Sequence, residues 1–280
     1  MRDALLTCEQ FTRLAAFCGV FALMAAWEFM DPRRAQSTGR GWRWPNNLGV
    51  VVVDTLLVRI LFPTTAVGLA LIARAQGLGL FNMVQLPVWI GVVASVILLD
   101  LAIYFQHVLF HAVPALWRLH RMHHADLDID VTTGLRFHPI EILLSTVIKL
   151  AVVIALGAPA LAVLLFEVLL NATSMFNHSN VRMPQGLDGV LRWFVVTPDM
   201  HRVHHSILAR ETNSNFGFNL PWWDRLFGTY RAQPAAGHEA MTIGIEQFRD
   251  LRELGLDRML LQPFRGGAGR YPLGERQVEQ

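Results

Sequence analysis

With 280 residues of which 53% are hydrophobic and only 16% charged, and a mean hydropathy of +0.36, the chain falls outside the composition of an ordinary soluble domain. A formal net charge of +2 gives no reason to expect a nucleic-acid partner. Its two cysteines, Cys8 and Cys18, lie in or near one apolar run and offer neither a disulfide framework nor a thiolate metal site, so any metal is held by nitrogen or oxygen.

Apolar runs at about 11–30, about 49–73, about 86–110 and 140–176 each reach or approach the ~20 residues that a spanning helix needs. They predict an all-α integral membrane bundle of about four to five membrane helices with a cytosolic, histidine-rich helical cap. The first run lacks an Ala-x-Ala-like cleavage site and ends in Trp27-Glu28-Phe29-Met30-Asp31, so it is expected to stay as a helix. Arg33, Arg34, Arg40 and Arg43 crowd the following connection, which the positive-inside tendency assigns to the cytoplasm. In the long run 140–176, Gly157-Ala158-Pro159 marks the turn of a hairpin. The expected organisation is a single embedded domain: 1–111 with three membrane helices, 112–139 a cytosolic insert, 140–177 a membrane hairpin, 178–265 a cytosolic cap, and 266–280 a flexible tail.

Histidine spacing is the strongest signal. His107 and His111 stand four apart at the end of the third membrane run, where helical spacing puts both on one face. Two copies of a His-x-x-His-His box follow: His120, His123 and His124, then His201, His204 and His205. On a helix the three imidazoles of such a box are expected to point into one sector. Eight histidines from three elements suit two metal ions better than one, and imidazole alone does not choose among zinc, iron, copper and nickel. The Glu-x-x-His pairs of ferritin-like di-iron bundles are absent from the sequence, and so is the zinc-protease His-Glu-x-x-His.

Those boxes, with Arg136-Phe-His138-Pro139-Ile-Glu141, Asn177-His178-Ser-Asn180, Thr197-Pro-Asp-Met-His201 and Trp223-Asp224-Arg-Leu-Phe-Gly228-Thr229, resemble the sterol desaturase and fatty acid hydroxylase superfamily over about 44–232. The resemblance implies a membrane-bound di-iron centre that uses O2 and two electrons to hydroxylate or desaturate a C–H bond of a lipid, whether sterol, fatty acyl or related. By position it implies His107, His111, His120, His123, His124, His178, His201, His204 and His205 as ligands, with His138 as a further candidate whose alternative is a loop histidine. Asp100 and Asp199 are the candidates for carboxylates that orient a ligating imidazole. The alternatives are a pair with Arg59 for Asp100 and a helix cap for Asp199. His238 lies beyond the motifs and is expected at the surface. Asp126, Asp128 and Asp130 are expected in loops and caps. Trp117, Trp222 and Trp223 are expected at the membrane interface. Tyr104, Phe105, Met175 and Phe176 are candidates to line a lipid tunnel, packing being the alternative.

No flavin, nicotinamide or haem motif stands in the sequence, so electrons are expected from a separate carrier of ferredoxin, rubredoxin or cytochrome type. Two rival readings use the same histidines: a zinc-binding transporter or sensor without redox chemistry, and a zinc-dependent membrane hydrolase with Glu141 as its base.

Overall fold

The computed structural model describes residues 8–84 and 86–273. Within them the chain is helical, with no strand and two isolated bridges, Pro32 to Val181 and Ser206 to Ile243. The helices that position the site are α1 (Glu9–Met30), α2 (Arg40–Leu61), α3 (Ala66–Ala75), α4 (Val88–Ala112), α5 (Pro114–His124), α6 (Pro139–Leu156), α7 (Ala160–His178), α8 (Gln185–Leu191), α9 (Pro198–His204) and α10 (Trp222–Leu226). Among the described residues five segments are long and apolar enough to cross a membrane: α1, the stretch Arg40–Met83 that contains α2 and α3, α4, α6 and α7.

The hairpin turns where the sequence places it. Gly157 ends α6 in the left-handed conformation (φ 61°), Pro159 stands immediately before α7, and Pro139 opens α6 at a position that needs no N–H. A Cβ on Gly79 would lie 2.2 Å from both Gly157 N and Ile154 O, so only glycine lets the connection after α3 press on that turn. At this end Ala66, Val67 and Ala70 of α3 pack with Leu99 of α4, Val153 of α6 and Val163 and Phe166 of α7. At the other end Met24 and Ala25 of α1 pack with Val131, Leu135 and Met175.

Buried ion pairs fasten the insert between α5 and α6 to the bundle. The Arg43 guanidinium grips Asp126 through Nε and Nη2, both at 2.8 Å, and reaches Asp130 at 2.5 Å. Asp128 accepts from Thr38 N at 2.6 Å and Ser37 Oγ at 3.1 Å. Burial would push the Asp126 carboxyl up, but the Arg43 and Arg136 guanidiniums outweigh it and hold it down at about 2. Glu28, fully buried at the end of α1, accepts from Val131 N at 2.7 Å and Asn180 N at 2.8 Å, and so ties α1 to both inserts.

Two expectations fail here. Residues 266–273 form a docked strap rather than a loose tail: Arg121 donates to Gly267 O, Trp117 Nε1 to Ala268 O at 2.9 Å, Asn213 to Tyr271 O at 2.6 Å, and Leu273 N to His111 O at 2.9 Å. The remainder of the expected tail, 274–280, lies outside the described residues. Trp117 is not at an interface, because the strap covers it and stacks Tyr271 on it at 5.4 Å. Trp222, by contrast, is exposed on α10 and donates through Nε1 to the carbonyl of the exposed Trp193 at 2.7 Å.

Candidate metal centre

One end of the bundle gathers nine histidines into two adjacent nests. The first holds His107 and His111 from α4, His120 and His124 from α5, and His204 from α9; the second holds His123 from α5, His178 from α7, and His201 and His205 from α9 and its cap. Within each nest one ring nitrogen per residue lies within 4.8 Å of all the others, and every one of the nine residues is buried. The nests touch, with the His124 and His205 rings stacked at 4.6 Å.

The boxes do not each fill one sector. In the first box His120 and His124, four apart, enter one nest while His123 enters the other; in the second box His201 and His205 share a nest while His204 crosses over. Helical geometry permits the split, since residues four apart lie over one another while the residue three along is displaced around the axis, and the approach of α4 and α7 decides which nest each ring enters. Prolines set the phase of both short helices: Pro114 opens α5 directly after α4, and Pro198 opens α9 behind a Thr197 cap that accepts from Met200 N at 3.3 Å.

Six of the rings are fixed by their Nδ1 atoms. His107 donates to Phe216 O (2.8 Å), His111 to Asn213 Oδ1 (3.0 Å), His120 to Glu141 Oε1 (2.7 Å), His123 to Arg136 O (3.2 Å), His178 to Ser174 O (2.7 Å) and His204 to Ser214 O (2.7 Å). Each partner is an acceptor, so the proton sits on Nδ1 and Nε2 is left with a bare lone pair. Those lone pairs meet inside the nests: Nε2 to Nε2 is 3.1 Å for His107 with His120 and for His123 with His178, and His201, whose Nδ1 has no partner, sets its Nε2 3.1 Å from His178 Nε2. Nε2 of His111, His124 and His204, and both nitrogens of His205, have no hydrogen-bond partner.

Opposed lone pairs at that distance repel, and burying them unpaired costs free energy. A cation removes both penalties, so the donor set fits metal ions. Burial pushes His120 down to about 3 and takes His123, His124, His201, His204 and His205 well below 6.5, with neighbouring imidazoles lowering these five further. The rings are therefore neutral, as ligation requires.

The other candidates are placed elsewhere. His138 caps α6: its Nδ1 accepts from Ile140 N and its Nε2 donates to Leu260 O, both at 3.2 Å, which leaves no nitrogen for a metal. Asp100 touches no imidazole and does not pair with Arg59. It accepts from Asn219 N, Leu220 N and Trp223 Nε1 at 3.2, 3.2 and 2.8 Å, pinning the segment that leads into α10. Asp199 is bound by Arg33 and Arg202 rather than by His201, and Thr197 takes the cap. His238 is buried, with Nε2 3.7 Å from Asp199, rather than at the surface. The groups that do orient the rings, Glu141, Asn213 and four backbone carbonyls, were not foreseen in that role. Only Glu141 carries a sequence signal, its place in the motif that follows the first box.

A cavity of about 240 Å³ ends on His107 and His120. Its walls are mostly apolar, among them Phe17, Val51, Ile103, Phe110, Leu135 and Phe137, and it also takes in Asp54, Gln106 and Glu141. Tyr104, Phe105, Met175 and Phe176 do not line it: Tyr104 hydroxyl meets Thr229 at 2.9 Å, and Met175 lies in the core beneath α1.

The fatty acid hydroxylase family matches residues 92–229, the stretch that supplies all nine histidines. Ornithine lipid hydroxylase OlsE of Rhizobium tropici is 34% identical over 151 residues, 54% of this chain and 44% of the relative. Alkylglycerol monooxygenase of Homo sapiens is 26% identical over 158 residues, covering 55% and 33%. Cholesterol 25-hydroxylase of Rattus norvegicus is 28% identical over 146 residues, covering 51% and 47%. The chain thus matches less than half the length of these relatives. No solved structure matches. The motif resemblance, the family match and the histidine nests that it spans agree: residues 92–229 match the fatty acid hydroxylase family, and the chain fits the sterol desaturase and fatty acid hydroxylase superfamily.

Proposed function

We propose that the protein is a membrane-bound di-iron oxygenase that uses O2 and two electrons to hydroxylate a C–H bond of a lipid. The observation that carries this reading is a pair of neutral, nitrogen-only nests, of which the five-histidine one borders a mostly apolar cavity through His107 and His120. Nine ligating nitrogens suit two ions, one on His107, His111, His120, His124 and His204 and one on His123, His178, His201 and His205. When bound, two iron ions would supply the reduction of O2 and the oxidation of the lipid C–H bond.

The chain's own part is positional. Nδ1 donors fix the rings, burial excludes water from the nests, and the cavity holds one substrate carbon against the His107 and His120 side. Among the relatives the printed activities are hydroxylations and monooxygenations of an ornithine lipid, alkylglycerol and cholesterol, which favours hydroxylation over desaturation here. The zinc transporter or sensor reading finds no support, because the histidines converge at one end of the bundle instead of lining a path through it. Glu141 accepts from a candidate ligand, a role that supports the oxygenase over the hydrolase.

The nests face the cytoplasm of an inner membrane in this reading, on the side of Arg33 and Arg34. Reducing equivalents come from a ferredoxin, rubredoxin or cytochrome. The test is mass spectrometry of lipid extracts from aerobic cells expressing the wild-type chain or His204→Ala, with the metal content of each purified protein. A lipid that gains one oxygen with the wild type alone supports the proposal. Zinc in place of iron, together with identical lipid extracts, overturns it.

A further inference from the structure

The cavity beside the nests has more acceptors than donors. Asp54 on α2 is 7% exposed and Glu141 on α6 is 4% exposed, and both line the cavity together with His107 and His120. Asp54 Oδ1, Glu141 Oε2 and the neighbouring Gln106 Oε1 are buried without any hydrogen-bond partner. Three neighbouring donors are committed elsewhere: His120 Nδ1 to Glu141 Oε1, Gln106 Nε2 to Ser145 Oγ, and Ser174 Oγ to Gly134 O. Among the described residues no cation pairs with Asp54, whereas deeper in the bundle Arg13 and Lys149 are both held by Glu167.

A carboxylate in a membrane helix is costly unless something donates to it, and here no protein donor bonds these oxygens. A bare hydrocarbon chain in this cavity would leave all three oxygens orphaned. Phe17, Val51 and Asn171 line both this cavity and a larger neighbouring one of about 660 Å³, whose walls also carry Arg13, Arg59, Lys149 and Glu167.

We propose that the occupant is a lipid carrying a hydrogen-bond donor, a hydroxyl or an ammonium, seated on Asp54 and Glu141. The carbon held against His107 and His120 then lies a few bonds from the polar group rather than in the middle of an alkyl chain. This deepens the oxygenase reading and rests on it for the word substrate, but the binding site itself needs no metal.

The test is isothermal titration of the full chain as purified in dodecyl maltoside, kept anaerobic so that no turnover occurs, with hexadecan-1-ol, hexadecylamine and methyl hexadecyl ether. The first two carry the donor and the third lacks it. Wild type is expected to prefer the alcohol or the amine over the ether by about 10-fold or more, the scale of a hydrogen bond to a charged group. Asp54→Leu, an apolar side chain suited to a membrane helix, is expected to abolish that preference. Asp54→Asn is expected to keep part of the alcohol preference and lose any extra affinity for the amine. Equal binding of ether, alcohol and amine to wild type overturns the proposal, as does an unchanged preference in Asp54→Leu. Should Asp54→Leu fail to fold, the wild-type series and Asp54→Asn still decide. Oxidised lipid in cells without donor selectivity here sinks this site and leaves the oxygenase standing; selectivity here without oxidised lipid does the reverse.

Discussion

Removing the Glu141 carboxylate isolates what orientation of a single imidazole contributes to metal binding. Its Oε1 accepts from His120 Nδ1 at 2.7 Å in a buried setting, where leaving that donor without a partner costs about 1–3 kcal/mol. Glu141→Ala leaves that N–H buried without a partner and frees the ring to turn, so Nε2 loses its aim at the nest. Outer partners of this kind are worth about 10- to 100-fold in metal affinity. The expected result for Glu141→Ala is a 10- to 100-fold weaker iron affinity, confined to the five-histidine nest. Glu141→Gln keeps an acceptor oxygen and is expected to lose less than about 10-fold. The assay is chelator competition on purified protein, read as iron per chain, with helicity by circular dichroism as the folding control. Wild-type affinity in Glu141→Ala would refute the orienting role, and so would equal losses in Ala and Gln.

Four further outcomes follow from the geometry. Gly134→Ala would set a Cβ 2.4 Å from Ser174 O and 3.1 Å from His178 Nδ1, so the four-histidine nest should lose metal before the five-histidine one, seen as about half the wild-type iron per chain. Asp100→Ala removes three hydrogen bonds to the 219–223 segment and should cost about 3 kcal/mol of stability in thermal melts, with iron affinity per folded molecule unchanged. Arg43→Met strands Asp126 and Asp130 in the interior and should destabilise by about 3–5 kcal/mol, measured the same way. Asp126, held at about 2 against 3.8 in the unfolded chain, contributes about 2 kcal/mol that is fully present above pH 3.8 and lost as pH falls through 2, so the melting difference between wild type and Asp126→Asn should shrink over that window.

What the sequence made legible depends on whether a feature is written in side chains. Eight of the nine histidines could be picked out because they recur at three- and four-residue spacing, and His178 through the motif it shares with the superfamily; among the described residues the structure gathers these nine and no tenth. The hairpin at Gly157 was legible because a left-handed turn needs a particular residue there. The division of each box between two nests was not, since it depends on the directions from which α4, α7 and the two short helices approach one another. Nor was the docking of 266–273 onto Trp117 and Arg121. It runs largely through carbonyls of Gly267, Ala268 and Tyr271, and glycine-rich composition carries no sign of which carbonyls find donors.

The same distinction explains why Asp100 and Asp199 misled. A rule that ligating imidazoles donate to a carboxylate or a carbonyl directs a sequence reader to carboxylates, the only partners that are visible. Here four of the six fixed rings donate to backbone carbonyls, of Phe216, Arg136, Ser174 and Ser214, and one to the Asn213 amide. The intramembrane carboxylates were thereby released for other work: Asp100 holds the segment whose Phe216 carbonyl and Phe218 ring border the His107 side, and Asp54 stands in the cavity with an oxygen to spare. Metal orientation vested in the backbone tolerates wide variation of side chains around the nests. A side-chain acceptor at the cavity wall, by contrast, can be gained or lost by one substitution. On this division of labour the nests set the chemistry, and position 54 is where a change of lipid would be written.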